Sequence, residues 1–305
     1  MKPLGMMLAM LLLPFSAAGQ GIGTVTLLEG SLRIMRGTGV LKGAEGISLR
    51  QGDILENADK GIAQLEFVGG TVVVLGPSSR LYIFRQAVGR STGAASGDSA
   101  GTQLVLLSGW LKGESKSEAG SYRYQTPSLA ATTGNGTVLI HSYETGADVF
   151  VESGSATVAE VSPDGGTRHP AAAKAGQFFS RRAGKTVSSA SRPAQAFIDA
   201  MPAAFRDTLP SRLARFAGKS VEPKVDHQVS YAEAEPWLTM PSTWRRGLID
   251  RFEPRLRDPE FRRQLELHLA EFPEWDVILH PEKKKPETPP PAAPSSISES
   301  LHPRA

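Results

Sequence analysis

The sequence predicts a chain of unlike parts: a mainly β N-terminal module, then a small all-α C-terminal domain and a disordered tail. Three observations predict it. From Gly23 to about Phe179, short apolar or alternating runs are separated by Gly, Ser, Asn and Asp, the punctuation of strands and tight turns. From about residue 195, apolar residues recur at helical spacing instead. From Pro281 the chain is Pro, Lys, Glu and Ser with almost nothing apolar, which cannot offset the entropy of ordering.

The elements follow in order. Lys2, the apolar run Leu4 to Phe15 and the small residues Ser16 to Gly19 read as a signal peptide over residues 1–19, cut after Ala18 or Gly19. The run is shorter than the roughly 20 apolar residues a membrane-spanning helix needs. The expected location is periplasmic, with secretion as the alternative. The β domain is expected over residues 20–182. Its strands are Thr24–Leu28, Ser31–Met35, Ala63–Phe67, Thr71–Leu75, Arg80–Arg85, Gln103–Leu107, Tyr122–Gln125, Val138–Ser142, Asp148–Glu152 and Ala156–Val161. Turns are expected at Glu29-Gly30, Gly69-Gly70, Asn135-Gly136 and Asp164-Gly165. Residues 86–102, mostly Gly, Ser and Ala, read as a mobile loop, and residues 183–194 as a linker.

The helical domain is expected over residues 195–280. Phe197, Ile198 and Met201 share one helical face, and Ser211 is placed to cap a second helix carrying Leu213 and Phe216. Ser230 with Glu233 forms a capping box ahead of Trp237 and Leu238. Trp244, Leu248, Ile249 and Phe252 recur until Pro254, and Asp258-Pro259 opens a helix striped by Phe261, Leu265, Leu269 and Phe272. Residues 281–305 are the expected disordered, proline-rich tail.

Composition narrows the chemistry. The 305 residues are 40% hydrophobic and 21% charged, with a formal net charge of +3, so the chain is globular and not a polycation that would mark a nucleic-acid binder. The absence of cysteine removes disulfides, thiolate metal sites and thiol catalysis.

An ordered series of short landmarks runs through the β half. Leu28-Glu29-Gly30 is followed by Leu32 and Ile34, then by Gly52-Asp53 after Leu49. Ala63–Phe67, Gly70-Thr71 and Pro77-Ser78 come next, then Leu107-Ser108-Gly109-Trp110 and Tyr124-Gln125-Thr126-Pro127. Gly136-Thr137, Val151-Glu152-Ser153-Gly154 and Lys174-Ala175-Gly176-Gln177 close the series. In this order they resemble the FecR domain family over about residues 24–180. The positions carrying the pattern are Gly30, Gly52, Asp53, Gly70, Pro77, Gly109, Thr126, Pro127, Gly136, Thr137, Gly154 and Gly176, as structural turn positions. Glu56 stands where the family favours Thr, Gly69 where Asp usually precedes the Gly70 position, and residues 128–135 are richer in Ala and Thr than the family pattern. The resemblance implies a rolled or short solenoid-like β fold and a non-catalytic recognition role in the cell envelope. A signal peptide in place of the family's cytoplasmic segment and membrane helix means that the sigma-regulator role does not transfer.

No catalytic constellation emerges from the residues. There is no Gly-x-Ser-x-Gly elbow. His141, His169, His227, His268, His280 and His302 are scattered without a metal-ligand pair. Glu233/Glu235 and Glu266/Glu271 lie on expected amphipathic helices, where acids solvate the outer face. Gly19-Gln20-Gly21-Ile22-Gly23 follows no strand and so makes no phosphate cradle. Arg245, Arg246, Arg251, Arg255, Arg257, Arg262 and Arg263 are interleaved with Asp250, Glu253, Asp258 and Glu260, which describes a solvated, ion-paired face. Trp110, Trp237, Trp244 and Trp275 read as packing residues. The expectation is therefore a non-enzymatic binding or sensing module without cofactor or metal. Its expected partner is another envelope protein or a cell-wall polymer, not nucleic acid; a structural scaffold and an unrecognised hydrolase are the alternatives.

Overall fold

The computed structural model describes residues 21–85, 102–116, 121–208 and 210–281. The expected signal peptide, residues 86–101 of the loop expected over 86–102, and the tail from 282 onward lie outside them, while Thr102 opens a strand. Seventeen strands form two stacked layers among these residues. In the first sheet, Ser48–Leu49 leads to Gly23–Glu29, Ile62–Phe67, Val72–Leu75 and the later half of Thr102–Lys116. Asn135–Tyr143, the earlier half of Gly146–Val161, Phe178–Arg182 and Ser188–Ala190 complete it. The second sheet begins with Lys224–Gln228, Gly39–Lys42, Leu32–Arg36, Ile54–Asn57 and Arg80–Arg85. It continues through the earlier half of Thr102–Lys116, Tyr122–Gln125, Leu129–Thr133, the later half of Gly146–Val161 and Thr167–Lys174.

Two long strands belong to both sheets, and glycine makes that possible. Thr102–Lys116 bends at Gly109, where φ is +90°. A Cβ there would sit 2.5 Å from the Ser79 Cα. Gly146–Val161 bends at Gly154, where φ is +71° and a Cβ would lie 2.3 Å from the Asn135 carbonyl oxygen. Only glycine fits so strained and crowded a corner. The result is one rolled sheet, the all-β architecture expected of this half.

Alternation along the strands explains the layering. Ile34, Leu55, Leu81, Ile83, Leu104, Leu106, Val138, Ile140, Val149 and Val151 point between the sheets into one buried core. Their neighbours point outward, and the C-terminal residues cover both outer faces. On the first sheet, Val74, Trp110, Leu139 and Phe178 meet Phe197 and Phe205, carried by the short helix Gln195–Ala200 and the 3₁₀ turn Ala203–Phe205. On the second, Met35, Ile54, Tyr82, Val105, Ala130 and Val161 are buried with Trp237, Trp244, Leu248, Phe252 and Phe261. These come from the helices Tyr231–Leu238, Ser242–Phe252 and Pro259–Leu267. The capping box at Ser230 and Glu233 forms, and the Asp258 carboxylate caps its helix by accepting from the Glu260 amide at 3.0 Å.

Several local expectations need correction. Ser211 caps no α-helix: Leu213–Phe216 is a single 3₁₀ turn, and the Ser211 hydroxyl donates to the Glu66 carboxylate. Asn135-Gly136 is no turn but the start of a strand, in which Gly136 pairs with Gly154. Within the segment read as a linker, Ser188–Ala190 pairs as a strand, and Lys224–Gln228 adds an edge strand to the otherwise helical region. Leu129–Thr133 and Thr167–Lys174 were not anticipated as strands, because their Ala, Thr and Pro residues lack the bulky β-branched signature.

Candidate functional site

An open groove of about 800 Å³ lies at the seam where Thr102–Lys116 passes from one sheet to the other. Strand register builds one wall. Arg33 pairs with Glu56, Glu56 with Arg80, and Arg80 with Ser108, so four polar residues stand in a row across the second sheet. The Glu56 carboxylate is the buried centre of the row, 6% exposed. It accepts from Arg33 Nη2 at 2.5 Å and from Trp237 Nε1 at 3.2 Å, with Arg80 Nε at 3.5 Å. Arg33 reaches onward to Glu233 Oε1 at 2.9 Å. The two arginine side chains remain 48% and 43% exposed, so they present cationic edges to the groove.

The opposite wall is aromatic. The Trp110 ring stacks on His141 with centroids 4.0 Å apart and 10° between planes. Tyr143 follows at 5.0 Å from His141, and the Arg182 guanidinium lies 4.7 Å over its ring. The Tyr143 hydroxyl donates to Asp148 Oδ1 at 3.2 Å. Burial holds the His141 pKa below its ordinary value, opposed by Asp148 and reinforced by Arg182. His141 is therefore a neutral, stacked ring near neutral pH. Ala200 and Pro202 of the C-terminal segment close this side, and Ser31, Asn57, Ser78 and Ser142 contribute small polar groups.

Of the positions that carry the family pattern, Pro77 and Gly109 line this groove. The others sit at turns and crossings elsewhere. Gly30, Gly52, Gly70 and Gly176 take positive φ at chain reversals. The Asp53 carboxylate accepts from Arg36 Nε at 2.9 Å and from the Arg50 amide at 2.8 Å. The Thr126 hydroxyl accepts from the Leu129 amide at 2.8 Å, which closes the Thr126-Pro127 turn. Gly136, Thr137 and Gly154 lie at the strand crossing, with Thr137 Oγ1 accepting from Ser153 at 3.1 Å.

The remaining candidates are dispersed. Glu233 is held by Ser230, His227 and Arg33, while Glu266 pairs with Arg262. His268 stacks on Tyr231. No three His, Asp or Glu side chains converge as a metal site among the described residues. All four tryptophans are buried, so none offers an open stacking platform. The arginine series is not one solvated face. Arg262 and Arg263 pair with exposed acids, but Arg251 is half-buried and donates to the Met35, Gly37 and Gly52 carbonyls. Residue type alone does not distinguish it from its neighbours.

Neither a family model nor a curated relative matches the chain. Among solved structures, two crystal structures of a candidate anti-sigma factor from Parabacteroides distasonis align with about half of it, at 12% identity. One gives a TM-score of 0.36 over 47% of this chain and 61% of that one. The other gives 0.37 over 48% and 64%.

Proposed function

We propose that this protein is a non-catalytic recognition module of the FecR kind, working in the cell envelope and engaging its partner through the seam groove. The observation that carries this reading is the way the groove's charged groups are held. Every oxygen of Glu56 faces an arginine or the Trp237 indole, and His141 is locked in a ring stack. Groups tied to structural partners suit binding better than proton transfer, which needs an acid or base free to reach a reacting atom. The half-exposed Arg33 and Arg80 beside an aromatic wall are the residue types that dominate interface energetics. The ordered turn series supports the FecR assignment, and the N-terminal charge and hydropathy pattern supports export.

Site-specific photocross-linking in intact source cells tests the proposal. A photoreactive residue replacing Ser78 or Ser31 in the groove is expected to give one discrete adduct. The same residue replacing Val277, on the exposed face of the helical region, is expected to give none. Adducts from Val277 with none from the groove would favour the scaffold reading. An uncleaved Met1 on the cytosolic protein would remove the envelope location.

A further inference from the structure

A second cavity of about 250 Å³ lies between the second sheet and the helix Ser242–Phe252, away from the seam groove. Arg36, Arg50, Arg251, Tyr82, Asp53 and the turn glycines Gly37 and Gly52 line it. Three arginines thus face a single carboxylate. Asp53 is buried and already accepts from Arg36 Nε at 2.9 Å, Arg36 Nη2 at 2.7 Å and the Arg50 amide at 2.8 Å. Neither the Arg50 nor the Arg251 guanidinium makes a direct ion pair with a carboxylate among the described residues, so both share the field of Asp53 with Arg36. Arg251 is satisfied sterically by three backbone carbonyls, of Met35, Gly37 and Gly52, none of which carries a net charge. Its desolvation lowers its pKa, opposed by Tyr82 and Asp53. The Arg50 guanidinium makes no hydrogen bond or ion pair among the described residues. Three half-buried guanidinium groups around one carboxylate leave an excess of positive charge, which is costly, and an anion supplied from outside relieves that cost.

The geometry points to this cavity as a binding site for a small tetrahedral oxyanion, free phosphate or sulfate, held by Arg50 and the open N–H donors of Arg36 and Arg251. A guanidinium presents five N–H donors in a planar fork that matches such oxygens. The turn glycines leave open space at the mouth: a Cβ on Gly37 or Gly52 would meet nothing within 4 Å.

Isothermal titration of the full chain with inorganic phosphate and with sulfate, against sodium chloride at matched ionic strength, tests the site. Saturable one-to-one binding of phosphate or sulfate is expected. Arg50→Gln is expected to weaken it about ten-fold or more, the worth of a charge-assisted hydrogen bond. Because the Arg50 side chain makes no hydrogen bond or ion pair among the described residues, this variant is expected to keep its melting midpoint in chloride. Gln51→Glu, which places a carboxylate at the exposed rim, is expected to weaken binding similarly. No saturable heat with either anion would overturn the proposal. So would equal affinity in wild type and Arg50→Gln, since that marks general salt stabilisation.

Discussion

The C-terminal residues cover the two outer faces of the rolled sheet in different ways. Over the second sheet, helices lay down a broad apolar surface with Trp237, Trp244, Leu248, Phe252 and Phe261 fully buried against strand residues. Over the first, a mostly irregular strap plugs only two aromatic side chains, Phe197 and Phe205, into the sheet. It relies on buried charge for the rest. The Nζ of Lys112, a residue only 5% exposed, donates to the Phe205 carbonyl at 2.8 Å and pairs with Glu152 at 3.0 Å. The Glu66 carboxylate accepts from Thr26 Oγ1 at 2.7 Å, the Arg212 amide at 2.7 Å and the Ser211 hydroxyl. A helix satisfies its own backbone and can dock chiefly on apolar area, here with Arg251 and Trp237 as its polar anchors. An irregular strap brings loose carbonyls and amides with it, so the sheet beneath must supply charged side chains to meet them.

The largest expected effect tests the helical side. Trp237→Ala removes a fully buried indole and its bond to Glu56, and should cost about 3–5 kcal/mol by chemical denaturation. Arg251→Glu should cost a similar amount, about 3–5 kcal/mol, by setting a carboxylate against three carbonyls. If both changes prove mild, the helices dock elsewhere in solution and the contrast between the faces is lost.

The strap side should break through its anchors. Lys112→Met keeps the stem but removes the charge, and should cost about 2–3 kcal/mol, as expected for a charge-assisted hydrogen bond left unmade. Phe205→Leu, which conserves most of the apolar volume, should cost less than about 1.5 kcal/mol. The reverse order would mean that apolar area, not charge, holds the strap.

A pH series sharpens the same point. Burial raises the Glu66 pKa, but hydrogen bonds from Ser211, Arg212, Thr26 and Gln64 outweigh it and leave the pKa below its ordinary value of 4.5. A depressed folded-state pKa adds stability that is present above the ordinary carboxylate range and lost as pH falls through the folded value. Wild type should therefore lose strap stability on acidification below about pH 4.5, and Glu66→Gln should flatten that dependence. His227 behaves oppositely. Glu233 and Asp226 raise its pKa, so its contribution is full below 6.5 and fades as pH rises past the raised value. His227 is exposed, and His227→Gln should change stability by less than about 1 kcal/mol even at low pH.

Much of the strand-and-turn pattern was legible in the sequence because alternation and glycine turns report local geometry. The bends were not. Gly109 and Gly154 look like loop residues in sequence, yet each sits inside a continuous strand that changes sheet. The candidate groove was half visible. Glu56 stood out as a departure from the family pattern, and the structure places it where Trp237 of the helical region docks. Alternation also places Arg33 and Arg80 on the face opposite Ile34 and Leu81, but nothing local says that Glu56 joins them. Arg251 was misread as a solvated residue because its partners are hairpin carbonyls about two hundred residues earlier.

Hydrogen exchange under weakly denaturing conditions tests the central claim most directly, that the C-terminal covering and the rolled sheet are one structure. The amides of Leu32–Arg36 and Ile54–Asn57 in the sheet should exchange through the same opening event as those of Ser242–Phe252. Their protection should fall together in the Trp237→Ala variant. Contradiction would be loss of protection in Ser242–Phe252 at low denaturant while the sheet amides stay protected, which would make the helices a separable domain resting on a self-sufficient sheet.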